Sequence, residues 1–302
     1  MNARLVSFSQ PAGRIYSGES VGGLDNIQDL IAYCARVSNP ANQANTKTTE
    51  KLLDYLIEHK HWSPFEMASA CIEVETTRDI ARQLIRHRSF SFQEFSQRYA
   101  NINTMDHQFV VREARLQDPK NRQNSLLTVD PELQAWWDAQ QKFVIEHCKR
   151  IYSEAIEKGI AKEQARVILP EGNTVSKLYV NGTIRSWIHY IELRSANGTQ
   201  KEHMELANAV AQAISQIYPK ALKFLEGDYM GKKLSTYYSE TDKSYCEVHF
   251  NYKEEVAYIK YFDDNGKKFF TEEFPNKSLR YVEDAAENWV MGIKKLEKSH
   301  AV

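Results

Sequence analysis

Apolar positions recur at helical spacing over most of the first 226 residues, which predicts a largely helical main region. Amphipathic segments of this kind cover residues 26–37, 48–59, 77–88, 131–158, 183–195 and 200–225. Two shorter runs, residues 69–75 and 175–180, alternate as strands do. Thr76, with Asp79 three residues later, resembles a capping box that opens the third helix. The pattern predicts an α+β fold in which mixed helices and short antiparallel strands form one domain, over residues 1–227.

The pattern changes after Gly227. Residues 228–241 are mostly polar and predict a linker, and a small accessory unit is expected over residues 242–302. Its runs YCEVHFNY, EVAYIKYF and KKFFTEEF, the last two separated by a turn at Asp264, Asn265 and Gly266, predict an antiparallel meander. A helix over residues 278–296 should cover it. The unit is short for an independent core, so we expect it to pack on the main domain.

Charge and cysteine content narrow the classes of protein. Thirty-nine basic residues stand against 40 acidic ones, so no global field attracts nucleic acid or a membrane, and anion binding must be local. The cysteines, Cys34, Cys71, Cys148 and Cys246, have neither metal-ligand nor redox spacing. No run of about 18 apolar residues is present, as a membrane span needs. We expect a protein of the reducing cytoplasm, without a metal site.

The densest chemical signal lies between Arg78 and Tyr99. Arg78, Arg82 and Arg86 recur every four residues, so on a helix they line one side, where like charges repel unless an acid or an anion compensates them. Polar side chains then alternate loosely with Phe90, Phe92 and Phe95. Guanidinium groups bind phosphate bidentately, hydroxyls complete its contacts, and a carboxylate or amide can read a base edge. The segment predicts a loop that binds a phosphorylated planar ligand; the alternative is a solvated basic helix followed by a packed aromatic loop.

A second signal is Arg194. On a helix it shares a face with Trp187, Tyr190 and Ile191, so a charge lies on an apolar surface. Burying a guanidinium without a partner is costly. We therefore expect an acid, a backbone acceptor or a bound ligand beside Arg194. The alternative is an arginine whose stem covers the face while its charge reaches water.

The first segment carries a recognisable order of residues: Arg86, His87, Arg88, Ser91, Glu94, Ser96 and Arg98. In this order it resembles the signature of flavin-dependent thymidylate synthases. An upstream element is similar to the family's His-x-Ser/Thr-Pro-Phe-Glu element: His61, Trp62, Ser63, Pro64, Phe65 and Glu66. The resemblance covers the first 226 residues and leaves the accessory unit without an assigned role.

The resemblance implies an enzyme that converts dUMP to dTMP. The carbon would come from 5,10-methylenetetrahydrofolate, released as tetrahydrofolate, and the hydride from NADPH through FAD. Catalysis is assigned to Arg194 and His61, with Arg194 near the uracil N3 and O2 positions, where a guanidinium would stabilise ring charge. The implied flavin-binding residues are Ser63, Glu66, Arg86, His87, Arg88, Ser89, Glu94, Thr183, Arg185 and His189. The implied dUMP-binding residues are Gln83, Arg86, Glu94, Phe95, Ser96, Gln97, Arg98, Arg166 and Arg194.

Several positions carry less specific information. The resemblance also assigns Glu163 and Arg166 to the site. An ion pair between them on a helix surface is an equal alternative. Gln200 and Glu202 fall on the family's pattern without a firm role. Many members have Asn where Thr183 stands, and Thr offers a hydroxyl but no amide. The resemblance also implies a homotetramer with sites shared between subunits, which would place Arg194 and the signature segment on different chains.

Two rival functions can be weighed. The classical, flavin-free thymidylate synthase needs a thiolate in a Pro-Cys setting, whereas the cysteines here follow Tyr, Ala, His and Tyr. A nucleic-acid-binding module would use residues 78–98 for phosphates and stack bases on the phenylalanines, but the net charge of -1 argues against it. The chain has neither GxGxxG nor a P-loop, and GDYMGKK around Gly231 has the wrong spacing. Arginines can hold a flavin diphosphate instead.

Overall fold

The structure is a computed structural model that describes residues 1–12, 24–196, 198–225, 232–251, 256–275 and 277–296. The chain divides into two compact units, Met1–Phe224 and Leu225–Val302. Within the described ranges, no helix is both long and apolar enough to cross a membrane.

The first unit mixes helices with antiparallel strands, which confirms the predicted α+β class. Its helices are α1 (Ile27–Ala35), α2 (Thr49–Glu58), α3 (Arg78–Leu84), α4 (Pro131–Glu157), α5 (Lys162–Ala165), α6 (Ile184–Ser195) and α7 (Lys201–Ser215). Its strands are β1 (Asn2–Phe8), β2 (Ser69–Thr77), β3 (Phe90–Glu94), β4 (Arg115–Gln117), β5 (Ser125–Leu127) and β6 (Val175–Thr183). All six predicted helices and both predicted strands are present, with shifted ends.

Four strands form the sheet that carries the site, in the order β1-β2-β6-β3, and every neighbouring pair is antiparallel. Buried and less buried residues alternate along β2 and β6, as the period of two in a strand requires. The buried positions pair across the strands: Ile72 with Val180 and Val74 with Leu178. Helix α7 packs on β1 and β2 and against α6, so the apolar faces of sheet and helices share one core.

Gly182 in β6 permits the close approach of β3. It pairs with Phe90, and a Cβ built on Gly182 would lie 2.3 Å from Cδ1 of the Phe90 ring. Phe90 is 8% exposed and packs on Trp187, with ring centroids 4.4 Å apart. A side chain at position 182 would therefore displace the ring that joins β3 to α6.

The start and end of the third helix differ from the prediction. The predicted capping box at Thr76 is wrong: the N-cap residue is Thr77, and its hydroxyl donates to Asp79 Oδ1 over 2.6 Å rather than accepting from the helix backbone. Arg112 holds both side chains, donating to Thr77 and to Asp79 over 2.7 Å each. The helix ends at Leu84 instead of residue 88, so Arg86, His87 and Arg88 lie in the turn that follows.

Two further elements were predicted with the wrong extent. The predicted helix over residues 200–225 is interrupted, because Pro219 lacks an amide hydrogen for a continuous helix; α7 ends at Ser215, and a separate 3-10 turn spans Pro219–Phe224. The segment predicted as a ligand-binding loop forms β3 over its first part. Its alternating apolar residues pair with β6 instead of remaining irregular.

The second unit is a four-stranded meander with one helix. Its strands are β7 (Lys232–Tyr238), β8 (Tyr245–Asn251), β9 (Val256–Phe262) and β10 (Lys268–Phe274), in the order β10-β9-β8-β7. Helix α8 (Leu279–Val290) packs on β7, β8 and β9 around a core that includes Cys246, Val248 and Ile259. The predicted meander and covering helix are confirmed.

The predicted linker is wrong where the structure describes it. Residues 232–238 form β7, whose backbone pairs with β8 from Lys232 opposite Phe250 to Tyr238 opposite Tyr245, so pairing outweighs the polar composition. Residues 228–231 lie outside the described residues. Helix α8 ends before residue 296 because Gly292 adopts a φ of +74°, and the amide of Ile293 donates back to Asn288 over 2.8 Å.

Candidate active site

Arg194 lies in the last turn of α6, on the predicted apolar face. Trp187, Tyr190 and Ile191 on that face are at most 1% exposed. Arg194 Nε donates to Nε2 of His87 over 2.9 Å. No carboxylate in the described part of the chain forms an ion pair with Arg194. The partner of this charge is therefore an imidazole from the turn after α3 of the same chain. For His87, the expectation that Arg194 and the signature segment lie on different chains is wrong.

His87 is neutral. Burial, and after it the charge of Arg194, lower the pKa of His87 to about 4. Because Nε2 accepts from Arg194, the ring proton must reside on Nδ1. A neutral acceptor orients the guanidinium without cancelling its charge. In surroundings of low dielectric, such a charge can strongly stabilise an anion placed beside it.

A cluster of rings holds His87 in place. The His87 ring meets Tyr190 edge-on, with centroids 5.2 Å apart, and lies 6.3 Å from Phe90. Trp187 packs on Phe90 and donates from Nε1 to the carbonyl of Ala70 over 3.0 Å, which ties the cluster to β2. The pair is thus fixed by residues of three separate elements.

A second group of predicted residues meets near the start of α6. The 3-10 turn Ser63–Met67 packs against α6, and Glu66 forms an ion pair with Arg185. Trp62 meets the His189 ring edge-on at 5.1 Å. Burial, and next the charge of Arg185, lower the pKa of His189. The structure thus brings together three residues predicted to bind flavin, and Ser63 opens the same turn.

His61 lies near this group. It is exposed, and its ring neighbours are Tyr55 and His59, each with a centroid distance of 6.1 Å. The structure therefore groups His61 with these surface rings rather than with Arg194.

Glu94 compensates the row of arginines predicted along α3. Its oxygens lie 3.5 Å from Arg78 Nη1 and 3.8 Å from Arg82 Nη1, and Ser176 donates to it over 2.8 Å. Arg82 also pairs with Glu171 at 3.2 Å. Arg78 and Arg82 are thus compensated by acids, which argues against a continuous phosphate-binding stripe for nucleic acid. Glu94 has a structural role that the sequence did not indicate.

Arg86 and Arg88 extend from the turn after α3 and are exposed. Within the described residues, neither guanidinium has an acid or a hydrogen-bond acceptor as partner. The turn itself is anchored, because the carbonyl of Ser89 accepts from Ser186 Oγ over 3.2 Å. Two unpaired guanidinium groups on an anchored turn match the chemistry of a diphosphate. The residues present therefore fit a dinucleotide such as FAD.

The end of the signature segment is exposed and pairs with α5. Arg98 Nε donates to Glu163 over 2.9 Å, and the backbone amide of Arg98 donates to Ser96 Oγ over 3.3 Å. The alternative of a pair between Glu163 and Arg166 is therefore wrong, and Arg166 is exposed. Phe95 anchors the segment by packing against the buried cluster of Ile102, Tyr152 and Ala165. Next to it, Gln97 is 3% exposed, and its buried Nε2 has no partner in the described structure.

Thr183 is the N-cap residue of α6. Its hydroxyl accepts from the amide of Ser186 over 3.2 Å and lies 3.1 Å from Ser186 Oγ. Capping the helix stabilises the start of α6. This hydroxyl therefore already has a local structural role at the position where the family more often has Asn.

One residue of the site was not predicted. His203 is fully buried, and its Nδ1 lies 3.1 Å from Gln83 Oε1; Gln83 Nε2 donates to Gln200 over 2.8 Å, and Gln200 Nε2 to Glu202 over 3.0 Å. Burial, followed by the charges of Arg194 and His87, lowers the pKa of His203 to about 3. Helical spacing could have revealed it, since His203 shares the buried face of α7 with Leu206, Ala207 and Val210.

Helix α6 presents a guanidinium on an apolar face, and its partner His87 lies between Arg86 and Arg88, whose guanidinium groups are unpaired in the described structure. Polar side chains lead from there into the core. This arrangement defines an enzyme that binds phosphorylated planar ligands and stabilises negative charge. The family model described as Thymidylate synthase complementing protein matches residues 22–220. The chain therefore belongs to the flavin-dependent thymidylate synthases, enzymes that make dTMP from dUMP with FAD.

Similar proteins agree with this assignment. A probable flavin-dependent thymidylate synthase of Paramecium bursaria Chlorella virus 1 is 50% identical over 226 residues, which cover 75% of this chain and 99% of the relative. The flavin-dependent thymidylate synthase of Synechocystis sp. is 46% identical over 226 residues, covering 75% and 100%. The crystal structure of the UMP/dUMP methylase PolB from Streptomyces cacaoi, bound with 5-Br dUMP, aligns with a TM-score of 0.60 and 25% identity over 74% of this chain and 93% of PolB. The family predicted from the signature segment is confirmed.

Proposed function

We propose that Arg194, oriented by neutral His87, stabilises negative charge on the uracil ring while the enzyme reductively methylates dUMP. The one-carbon unit comes from 5,10-methylenetetrahydrofolate and the reductant is NADPH, with tetrahydrofolate and NADP as the other products. Bond formation from uracil C5 to the methylene carbon requires negative charge in the ring, which a fixed guanidinium stabilises. The observation that carries the proposal is the 2.9 Å bond from Arg194 to His87 on a buried face.

Arg86 and Arg88 would hold the FAD diphosphate, because both guanidinium groups are exposed and unpaired within the described structure. Glu66, Arg185 and His189, which meet near the start of α6, would hold the same cofactor, together with Ser63. When bound, FAD supplies the redox chemistry and carries the hydride that NADPH provides. His61 is adjacent to Trp62, which contacts His189, and this supports a role for His61 at the flavin end of the site.

Gln83, Ser96, Gln97, Arg98 and Arg166 would bind dUMP. The exposed guanidinium groups of Arg98 and Arg166 and the hydroxyl of Ser96 suit the phosphate. The orphaned Nε2 of Gln97 is a donor that an anionic ligand can satisfy. Glu94 and Phe95 support these contacts, Glu94 through Arg78 and Arg82 and Phe95 through the core.

We assign catalysis to residues 1–227, since the family model lies within them, and propose an accessory role for residues 242–302. A homotetramer is supported by the exposed apolar side chains of α4, including Trp136 at 56% and Phe143 at 68%. Light scattering by the purified protein measures its mass, and a monomer would contradict the tetramer.

All four cysteines are free thiols, the state that the cytoplasm maintains, and we propose that compartment.

Replacing Arg194 by alanine tests the role of its charge. We expect Arg194→Ala to retain bound FAD but to form dTMP at least ~100-fold more slowly, the size of effect seen when one group that stabilises transition-state charge is removed. Arg280→Ala is the matched control, because Arg280 is an exposed arginine of α8 and lies outside the residues that the family model matches. Turnover by Arg194→Ala equal to that of the control would refute the assignment.

A further inference from the structure

Four side chains form a continuous hydrogen-bonded chain next to the pair of Arg194 and His87. It runs from Glu202 through Gln200 and Gln83 to His203, over distances of 3.0, 2.8 and 3.1 Å. Its two ends are buried, with Glu202 at 7% and His203 at 0% exposure. Gln83 and Gln200 lie between them and are partly exposed. This series of hydrogen bonds thus connects the buried side of α7 to Gln83, which is partly exposed.

The acidic end of this chain is ionised. Burial alone would raise the pKa of Glu202, but its own backbone amide, the charges of Arg115 and Arg112 and the bond from Gln200 outweigh burial and lower it. Arg115 also donates directly to the carboxylate. An ionised carboxylate accepts hydrogen bonds and cannot donate one.

The ionised end sets the direction of every other bond, because each amide has one donor end and one acceptor end. Gln200 must turn its NH2 group to Glu202 and therefore its carbonyl to Gln83. Gln83 must in turn direct its NH2 group to Gln200 and its carbonyl to His203. His203 must then donate from Nδ1, which leaves its Nε2 as a buried acceptor without a partner in the described structure.

We infer that His203 is a positioning residue for dUMP binding: together with Gln200 it fixes the Gln83 amide in one orientation before the ligand arrives. The inference rests on the proposed function, in which Gln83 contacts dUMP. One N–H and one carbonyl lone pair of Gln83 remain for the ligand, and their places are set by the chain of bonds. Without a donor at His203, the Gln83 carbonyl loses its partner, and the bond to Gln200 alone holds the amide.

The ring of His203 is suited to this role because it is itself immobilised. Its centroid lies 5.7 Å from Tyr190 and 6.4 Å from His87, the residue that orients Arg194. The low pKa of His203 keeps the ring neutral above about pH 3, so the direction of its bond to Gln83 persists over the working range of pH. His203 acts through Gln83 and contacts no substrate in this scheme.

The test compares His203→Leu with His203→Asn in the full-length enzyme. Leu fills the space without a donor, whereas Asn places an amide N–H near the position of Nδ1–H. We expect the KM for dUMP to rise ~10-fold in His203→Leu, as loss of one buried hydrogen bond implies, and to stay within ~3-fold of wild type in His203→Asn. The kcat should stay within ~3-fold in both, with FAD retained.

Gln200→Met provides a second test, because it removes the acceptor of the bond that Gln83 donates from Nε2. This variant too should raise the KM for dUMP ~10-fold. An unchanged KM in a folded His203→Leu or Gln200→Met enzyme would overturn the inference. So would an equal rise in His203→Leu and His203→Asn, since the donor would then be irrelevant. Absence of dTMP formation by the wild-type enzyme would instead contradict the proposed function.

Discussion

Half-buried His87 and fully buried His203 lie next to one guanidinium, with ring centroids 6.4 Å apart. A proton on either ring would add a second positive charge close to Arg194, so burial and the arginine both favour the neutral forms. The surroundings of Arg194 therefore hold two neutral rings and no further charge from either histidine. The charge of Arg194 is therefore available to stabilise negative charge on a ligand that lies beside it.

The neutral state of His203 predicts how stability depends on pH. An unfolded chain protonates a histidine near pH 6.5, whereas the folded chain holds His203 neutral down to about pH 3. Between these values the unfolded state binds more protons, so the free energy of unfolding falls as pH drops below 6.5. At pH 5 this difference amounts to about 1 to 2 kcal/mol for His203.

His203→Asn removes this titration while it retains a hydrogen-bond donor. We therefore expect the Tm of His203→Asn to fall less than that of wild type between pH 7 and pH 5, as measured by thermal unfolding. Equal losses of Tm in the two proteins would show that His203 is not held neutral.

A site residue could be predicted from the sequence when the pattern that marks it lies within one helix or one short segment. The apolar face around Arg194 follows from spacing within one helix, and it was predicted. His87 as its partner is 107 residues away in sequence, so only the fold could reveal the bond. The signature segment identified the family, but the compensation of Arg78 and Arg82 by Glu94 depends on α3, β3 and β6 meeting in space.

Among the elements, the packing of β3 on β6 connects the fold most directly with the site. Phe90 of β3 covers Gly182 of β6 and contacts Trp187 of α6, while His87 lies three residues before it. The register of one short strand thus sets the position of the turn that carries Arg86, His87 and Arg88.

Gly182→Ala tests this register. The new methyl group would lie 2.3 Å from the Phe90 ring, so we expect a loss of stability of about 1 to 3 kcal/mol, together with weaker dTMP formation. Gly172→Ala is the control, since the nearest atom to its added Cβ is Arg112 Nη1 at 4.0 Å. Chemical denaturation measures both, and equal stability of the two variants would contradict the account of β3 packing.

Long, strongly periodic helices were predicted well, because their apolar stripes are local features. β3 was interpreted as a loop because its alternation covers only five residues and its polar positions suggested ligand binding. β7 was interpreted as a linker because its polar composition conceals the pairing with β8 that stabilises it. Short strands depend on distant partners, and a single sequence does not specify those partners.

At the scale of the whole molecule, the enzyme combines a complete family domain with an additional unit. The family model matches residues 22–220, and relatives aligned over 99% and 100% of their length cover 75% of this chain. Residues Leu225–Val302 form a separate compact unit with its own sheet, helix and core. The chemistry of dTMP formation is therefore expected to reside in the first unit.

This chain belongs to a family that makes dTMP from dUMP with reducing equivalents carried by FAD. The most direct measurement is chromatographic detection of dTMP after the purified protein is incubated with FAD, NADPH, 5,10-methylenetetrahydrofolate and dUMP. We expect a yellow protein whose flavin absorbance is bleached by NADPH, and dTMP that appears only when NADPH, 5,10-methylenetetrahydrofolate and dUMP are all added to the flavin-loaded protein. A protein that binds no FAD, or one that forms no dTMP in the complete mixture, would contradict it.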